Sequence, residues 1–294
     1  MIVNISSSDY SNYAHDNATA LRLIGVDCRD YVLQPHKFYP SQSKIVHVSK
    51  IIEAVKDAEV IQVMHSDESL FDMVKHLGKK IIIYHTGTRY RENHLHYEQV
   101  FKGIKTISDQ TEFMHLGNHK YIVSPVEYNL SPTYKGGKVK IGHYPSDAWT
   151  KGTDKIIEML QQFQGRFDWQ HSTALTGHDE QMNRMSKCDI YIELFKTEIR
   201  GRAYGCFGVT ALEAAALGKI VITNNLFENV YKESYGVCPF TIANTETAFI
   251  NSINQLLTWS PEMFKKMQIE THEIMKENHS FANTGNKIIR AIYE

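Results

Sequence analysis

Two stretches in the C-terminal half hold residue types suited to phosphate chemistry. Residues 204–223 read YGCFGVTALEAAALGKIVIT, with Gly205 and Gly208 bracketing the start of a helical pattern. Glycines at a helix N-terminus let a ligand approach backbone N–H groups, whose unpaired donors and dipoles attract phosphate. Glu213 follows among alanines and leucines, and a carboxylate so placed needs polar partners such as the two hydroxyls of a ribose. The same letters also fit a tight turn with Glu213 on a solvated edge. Residues 141–154 read IGHYPSDAWTKGTD, a strand end, a polar loop and a helix start. Lys151 can project an ammonium there at the mouth of a parallel sheet, where ligands of open α/β sheets collect. Taken alone, it also fits a solvated surface lysine.

The N-terminal half offers VMHSDES at residues 63–69 and IYHTGTR at residues 83–89. Each puts a histidine, His65 or His85, at the C-terminal end of an apolar strand, the edge that faces a ligand crevice in such sheets. Either histidine fits a structural hydrogen-bonding role as well. Asp9, Asn12 and His15 sit in the first loop and helix, where polar residues are ordinary.

The elements needed to position these groups are those of a parallel α/β protein: short apolar runs alternate with helical patterns of about a dozen residues. Strands are expected at residues 2–5, 31–33, 60–64, 80–85 and 105–107, with helices over 13–23, 44–56 and 69–77. Pro125, Pro132 and the Gly136-Gly137 pair give linker chemistry before a new strand at 138–142. Beyond it, helices are expected over 153–163, 178–187 and 207–217, with strands at 169–172, 189–194 and 219–223 and a mainly helical remainder. The division is then an N-terminal domain at 1–135, a C-terminal domain at 136–280 and a final helix over 281–294.

The Glu213 segment resembles the donor-binding signature of glycosyltransferase family four and related GT-B enzymes. Phe207-Gly208, Glu213-Ala214, Gly218 and Val221-Ile222 match it, while the family's first glutamate falls at Gly205 and its proline at Ile220. Residues 141–154 resemble the family's G-R-x-x-x-x-K-G loop, and more closely a branch written H-A-P-S followed by K-G-T. Lys151-Gly152 and Ser146 match, and the arginine position falls at His143.

The resemblance implies an α/β fold of GT-B architecture, two Rossmann-like domains facing a central cleft, with the last helix crossing back to the first. It implies a hexosyl- or pentosyltransferase acting on a nucleotide sugar with retention of configuration. Lys151 would stabilise the departing diphosphate, Arg200 or Arg202 would supply the missing guanidinium fork, and Glu213 would hold the ribose. His143, Ser146, Tyr204, Gly205, Cys206, Phe207 and Gly208 complete the implied donor side. His65 would reach the sugar, with Asp9, Asn12, His15, His85, Thr86 and Arg91 on the acceptor side. No cofactor beyond the donor and no essential metal is expected. Two rivals remain open: a binding protein with this fold that has lost catalysis, and a phage-type enzyme whose acceptor is a modified DNA base.

Bulk properties exclude other classes. The chain has 294 residues, 42% hydrophobic and 22% charged, with a formal net charge of -1. That length suits two domains; the acceptor is expected to be a glycan, lipid or small molecule, and nucleic acid stays possible although that charge does not indicate it. Four scattered cysteines form no C-x-x-C pair, and the N-terminus lacks a secretory pattern, so a reducing cytoplasm is expected. No apolar run approaches the roughly 20 residues of a membrane helix. No G-x-G-x-x-G after the first strand, no P-loop, no G-x-S-x-G and no H-E-x-x-H occurs.

Overall fold

A computed structural model describes residues 1–36, 42–127, 129–131 and 134–294. Pro132, part of the expected linker, lies outside the described residues. The chain forms two units, Met1–Pro125 with His279–Glu294, and Val126–Asn278.

Unit 1 begins β1 (Ile2–Ser8), α1 (Tyr13–Leu23), β2 (Cys28–Gln34), β3 (Lys44–Ile45), α2 (Ile51–Val55) and β4 (Val60–Val63). It continues α3 (Glu68–Val74), β5 (Lys80–His85), α4 (Gly87–Val100), β6 (Lys105–Ser108) and β7 (Lys120–Tyr121). The strands pair in the order β3-β2-β1-β4-β5-β6-β7, all parallel. Strands buried on both faces read as continuous apolar runs, as Ile81-Ile82-Ile83-Tyr84 does. Val3, Ile5, Val63, Ile83, Tyr90, Phe101 and Phe113 form the core on one face. Gly25, at φ 83°, ends α1 in the left-handed conformation that favours glycine. Residues 44–56 do not form the single expected helix: Lys44–Ile45 pair with Tyr31 and Val32 as an edge strand, and the helix proper begins at Ile51.

Unit 2 contains β8 (Val139–His143), α5 (Ala148–Lys151), α6 (Thr153–Leu160), β9 (Phe167–His171), α7 (His178–Ser186) and β10 (Ile190–Ile192). There follow β11 (Glu198–Ile199), β12 (Arg202–Ala203), α8 (Val209–Ala216), β13 (Ile220–Thr223), α9 (Glu228–Tyr235) and β14 (Phe240–Ile242). Helices α10 (Glu246–Leu256) and α11 (Pro261–His279) lead to α12 (Phe281–Tyr293). The main sheet, β14-β13-β10-β8-β9, is parallel throughout and reverses direction of growth between β8 and β10. In such sheets the crevice outside the strand ends at that reversal is where ligands bind. Strand β14 lies in the remainder expected to be mainly helical, its three residues being too short a run to show a period.

The break after Pro125 precedes the expected 135/136 boundary because the intervening chain is anchored on unit 2. The Ser131 amide and hydroxyl both donate to the Leu217 carbonyl, and the Tyr134 amide donates to Gln268 Oε1 at 2.8 Å. Helix α12 belongs to unit 1 and packs on α1. Its buried positions, Thr284, Gly285, Ile288, Ala291 and Ile292, recur at helical spacing, and a Cβ at Gly285 would stand 2.3 Å from the Ala20 carbonyl oxygen. Among the described residues no helix is long and apolar enough to cross a membrane.

Candidate functional site

At the β8/β10 reversal of unit 2, the loop after β8 carries Lys151. Asp147 caps α5 by accepting from the Thr150 amide at 2.7 Å, and the short helix ends at Gly152 in left-handed conformation. Gly152 is required for a second reason: a Cβ there would lie 2.0 Å from the Phe195 carbonyl oxygen. The Phe195 amide donates to the Lys151 carbonyl at 3.0 Å, so the loop is clamped against the chain leaving β10. This clamp delivers the Lys151 ammonium to the Glu193 carboxylate, with which it forms a hydrogen-bonded ion pair. Burial works to lower the Lys151 pKa, but the pull of Glu193 outweighs it and holds the ammonium above its ordinary value. Glu193 is 1% exposed, and its Oε2 has no hydrogen-bond partner among the described residues.

Gly208 stands at the N-cap of α8, and the pair faces it directly. A Cβ added to Gly208 would lie 3.1 Å from Glu193 Oε1 and 3.5 Å from Lys151 Nζ. The lysine and the glycine-opened helix end therefore meet at one place. One and a half turns into α8, Glu213 is largely buried and accepts from His178 Nε2 at 2.6 Å. That hydrogen bond raises the His178 pKa against the opposing effect of burial.

The remaining donor-side residues divide. Gly205, where the resembled signature has a glutamate, leaves no room for a side chain: a Cβ there would stand 2.3 Å from Asn224 Nδ2 and 3.0 Å from Leu226 Cγ. Asn224 cannot easily yield, because its amide donates to the Lys196 and Tyr204 carbonyls while its Oδ1 accepts from the Lys196 amide. Tyr204, Cys206 and Phe207 are buried; Phe207 packs on Tyr231 and Phe240, so it anchors the turn in the core. Ser146 is exposed just ahead of the α5 cap. Arg200 and Arg202 lie on the exposed β11–β12 hairpin, with Arg200 and Gly201 at its left-handed turn. His143 is fully buried, bonded through Nδ1 to the Ile192 carbonyl and through Nε2 to Thr153 Oγ1. Burial lowers its pKa to about 4, so it is neutral at pH 7 and pins β8 to β10 and α6; the arginine-like role implied for it does not fit this geometry.

In unit 1 the structure brings Asp9, His65 and Thr86 together. His65 Nδ1 bonds Thr86 Oγ1 at 2.6 Å, and its Nε2 lies 3.5 Å from Asp9 Oδ1. Asp9 meanwhile accepts from the Ala14 and His15 amides, fixing the start of α1. His65 and Ser66 both have positive φ, 59° and 53°, a backbone that costs about 1–2 kcal/mol per non-glycine residue. Strain of this kind collects where a side chain must be aimed. The other acceptor-side candidates are directed elsewhere. His15 bonds Asp30 at 3.0 Å, Asn12 bonds Asp16 and Gln42, and Arg91 is held by Glu112. His85 turns under α4 against Tyr90 and His119, away from the Asp9–His65 pair, because it shares the strand face of Ile81 and Ile83, which α4 covers. Reading residue types alone missed Glu193 and His178. The signal for Glu193 was its place directly after the apolar run of β10, at the strand edge that faces the crevice.

No protein-family model matches the sequence, and a search of curated proteins finds no match. Solved structures match along almost the entire chain. HepE from Anabaena, in complex with UDP and glucose, is 13% identical with a TM-score of 0.65, covering 99% of this chain and 98% of its own. Sucrose-phosphate synthase from Thermosynechococcus elongatus is 12% identical at a TM-score of 0.62, with 99% and 98% covered. An alpha-glucosyltransferase in complex with UDP is 11% identical at 0.63, with both chains covered in full. At such identities the likeness shows the fold, which is α/β and of the GT-B type.

Proposed function

We propose that this chain is a glycosyltransferase that binds a nucleotide-diphosphate sugar on unit 2 and transfers the sugar to an acceptor. The observation that carries the reading is the convergence of Lys151 Nζ and the Gly208 helix end, 3.5 Å from one another by the position a Cβ would take. A diphosphate placed there meets the N-terminal dipole of α8 and the Lys151 ammonium, which it would share with Glu193, as sources of positive potential for the charge that develops on the leaving group. Glu213, in the same helix, is the group for the ribose hydroxyls, with His178 as the partner they would join or displace. In this reading the donor diphosphate needs no metal, its charge being met by Lys151 and the helix.

Unit 1 supplies the acceptor-side groups Asp9, His65 and Thr86. Transfer with retention forms the bond from the acceptor oxygen to the anomeric carbon on the face from which the diphosphate departs, and a diphosphate oxygen takes the acceptor's proton. UDP-sugars are the first donors to test, since HepE and the alpha-glucosyltransferase are in complex with UDP. A second reading, a nucleotide-binding protein without transfer, draws on the closed Gly205 position and the sealed His143. Thermal denaturation against a panel of nucleotide sugars, followed by detection of released nucleotide diphosphate, separates the two. A stabilising donor that is turned over supports transfer, a stabilising donor never consumed supports binding alone, and no stabilisation by any member rejects both.

A further inference from the structure

Unit 1 contains a polar cluster under α4 that the sugar-transfer reading does not use. His85 ends β5, Glu98 lies in α4 and His119 precedes β7; one ligand atom from each lies within 4.8 Å of the other two. His85 is fully buried, and its Nε2 has no hydrogen-bond partner among the described residues, while its Nδ1 bonds Ser66 Oγ at 2.8 Å. A proton on Nδ1 directed at the serine leaves Nε2 as a bare lone pair in the interior. An unpaired buried acceptor of this kind costs free energy unless something binds it. The His119 side chain is also fully buried; its Nδ1 bonds Thr106 Oγ1 at 2.7 Å, and its Nε2 lies 3.9 Å from Glu98 Oε1.

We propose that His85, Glu98 and His119 form a binding site for a transition-metal dication of the zinc class, with two imidazole nitrogens and one carboxylate oxygen as ligands. Two neutral histidines and a carboxylate are a common three-ligand set for zinc, at about 2.0–2.2 Å from the metal, with water in the fourth position. Ser66 and Thr106 are the outer partners that fix ring orientation, the usual companions of ligating histidines. The Tyr90 hydroxyl lies 2.8 Å from both Glu98 Oε1 and His119 Nε2. Metal entry moves it off His119 while it continues to donate to the glutamate. The His119 tautomer with its proton on Nδ1 then donates to Thr106 Oγ1, while the Thr106 hydroxyl keeps its proton and donates to the Asn118 carbonyl at 3.4 Å.

The glycine at 117 keeps the approach open, since a Cβ there would lie 2.6 Å from both Glu98 Oε1 and His119 Nε2. Glu98 and Thr106 also line a pocket of 440 Å³ whose rim carries Lys102, Lys105 and Lys120. Those lysines oppose long-range attraction of a cation, so affinity comes from the directed ligand bonds. The proposal depends on unit 1 alone and stands whether or not the chain transfers sugar.

The test titrates chelator-treated full-length protein with Zn²⁺ by calorimetry and with Co²⁺ by visible absorption. One saturable Zn²⁺ per chain with a four-coordinate Co²⁺ spectrum is expected, lost in Glu98→Gln and His119→Gln and weakened about 10–100-fold in Ser66→Ala. Glu98→Gln keeps an oxygen for Tyr90 and so preserves the local packing; if circular dichroism shows His119→Gln unfolded, Glu98→Gln decides alone. Absence of a saturable event in the wild type overturns the proposal. So does binding that Glu98→Gln leaves unchanged, which would assign the metal to others of the fifteen histidines.

Discussion

Replacing Lys151 by methionine keeps most of the stem and removes the ammonium, with two separable consequences. For chemistry, the loss of one preorganised electrostatic donor lowers turnover by about 10²–10³-fold. For stability, Glu193 is left 1% exposed with no counter-charge, and its Oε2 already lacks a partner. Breaking a buried pair by removing one member costs about 3–5 kcal/mol, and about 2–4 °C of Tm accompanies each kcal/mol in a unit of this size, so melting falls by roughly 6–20 °C. Adding Glu193→Gln removes the stranded charge and restores most of the lost stability. It does not restore transfer, because the cation is still missing. The assay pairs thermal denaturation with turnover of a stabilising nucleotide sugar. Full turnover in Lys151→Met, or a double variant that regains transfer together with stability, would refute the assignment of the ammonium to the diphosphate.

Gly152→Ala places a Cβ 2.0 Å from the Phe195 carbonyl in a left-handed backbone, so both Tm and nucleotide affinity should fall; calorimetry showing wild-type affinity would disconnect the clamp from Lys151. Gly205→Glu, which introduces the glutamate of the resembled signature, should lower Tm and transfer because Asn224 already fills that space, and a gain in activity would contradict the closed geometry. His143, with a folded pKa near 4 against an ordinary value of about 6.5, is protonated more readily in the unfolded chain. Its contribution is complete above about pH 6.5 and declines by about 3 kcal/mol as pH falls towards 4; urea unfolding across that range should show a shallower decline in His143→Gln. The His178 pKa, raised by Glu213, should drop towards the ordinary value of about 6.5 in Glu213→Gln, as read by NMR titration; an unmoved His178 would argue against the pair.

Much of the fold was legible because buried parallel strands announce themselves as unbroken apolar runs and helices by their spacing. The glycines at 152 and 208 could be singled out from the letters, and in the structure a Cβ at Gly152 would lie 2.0 Å from the Phe195 carbonyl oxygen while one at Gly208 would lie 3.1 Å from Glu193 Oε1. What escaped depends on side-chain direction and on partners far apart in sequence. His65 and His85 look alike as strand-end histidines, yet a left-handed backbone aims one at Asp9 while alternation along β5 buries the other under α4. Glu193 carried a signal in its place after the apolar run of β10, but its pairing with Lys151, forty-two positions away, became visible only once β8 and β10 were adjacent. The absent glutamate at Gly205 was visible in the letters, but its cause, the Asn224 amide, was not.

The docking of α12 on α1 makes unit 1 discontinuous in the chain, with unit 2 inserted between its two parts. During synthesis the N-terminal strands emerge first, yet the patch of α1 around Ala20 stays uncovered until Gly285 has left the ribosome. Unit 2 has all of its own elements by then and can complete its sheet earlier. Truncation within the last helix therefore harms the beginning of the protein more than the part beside it in sequence.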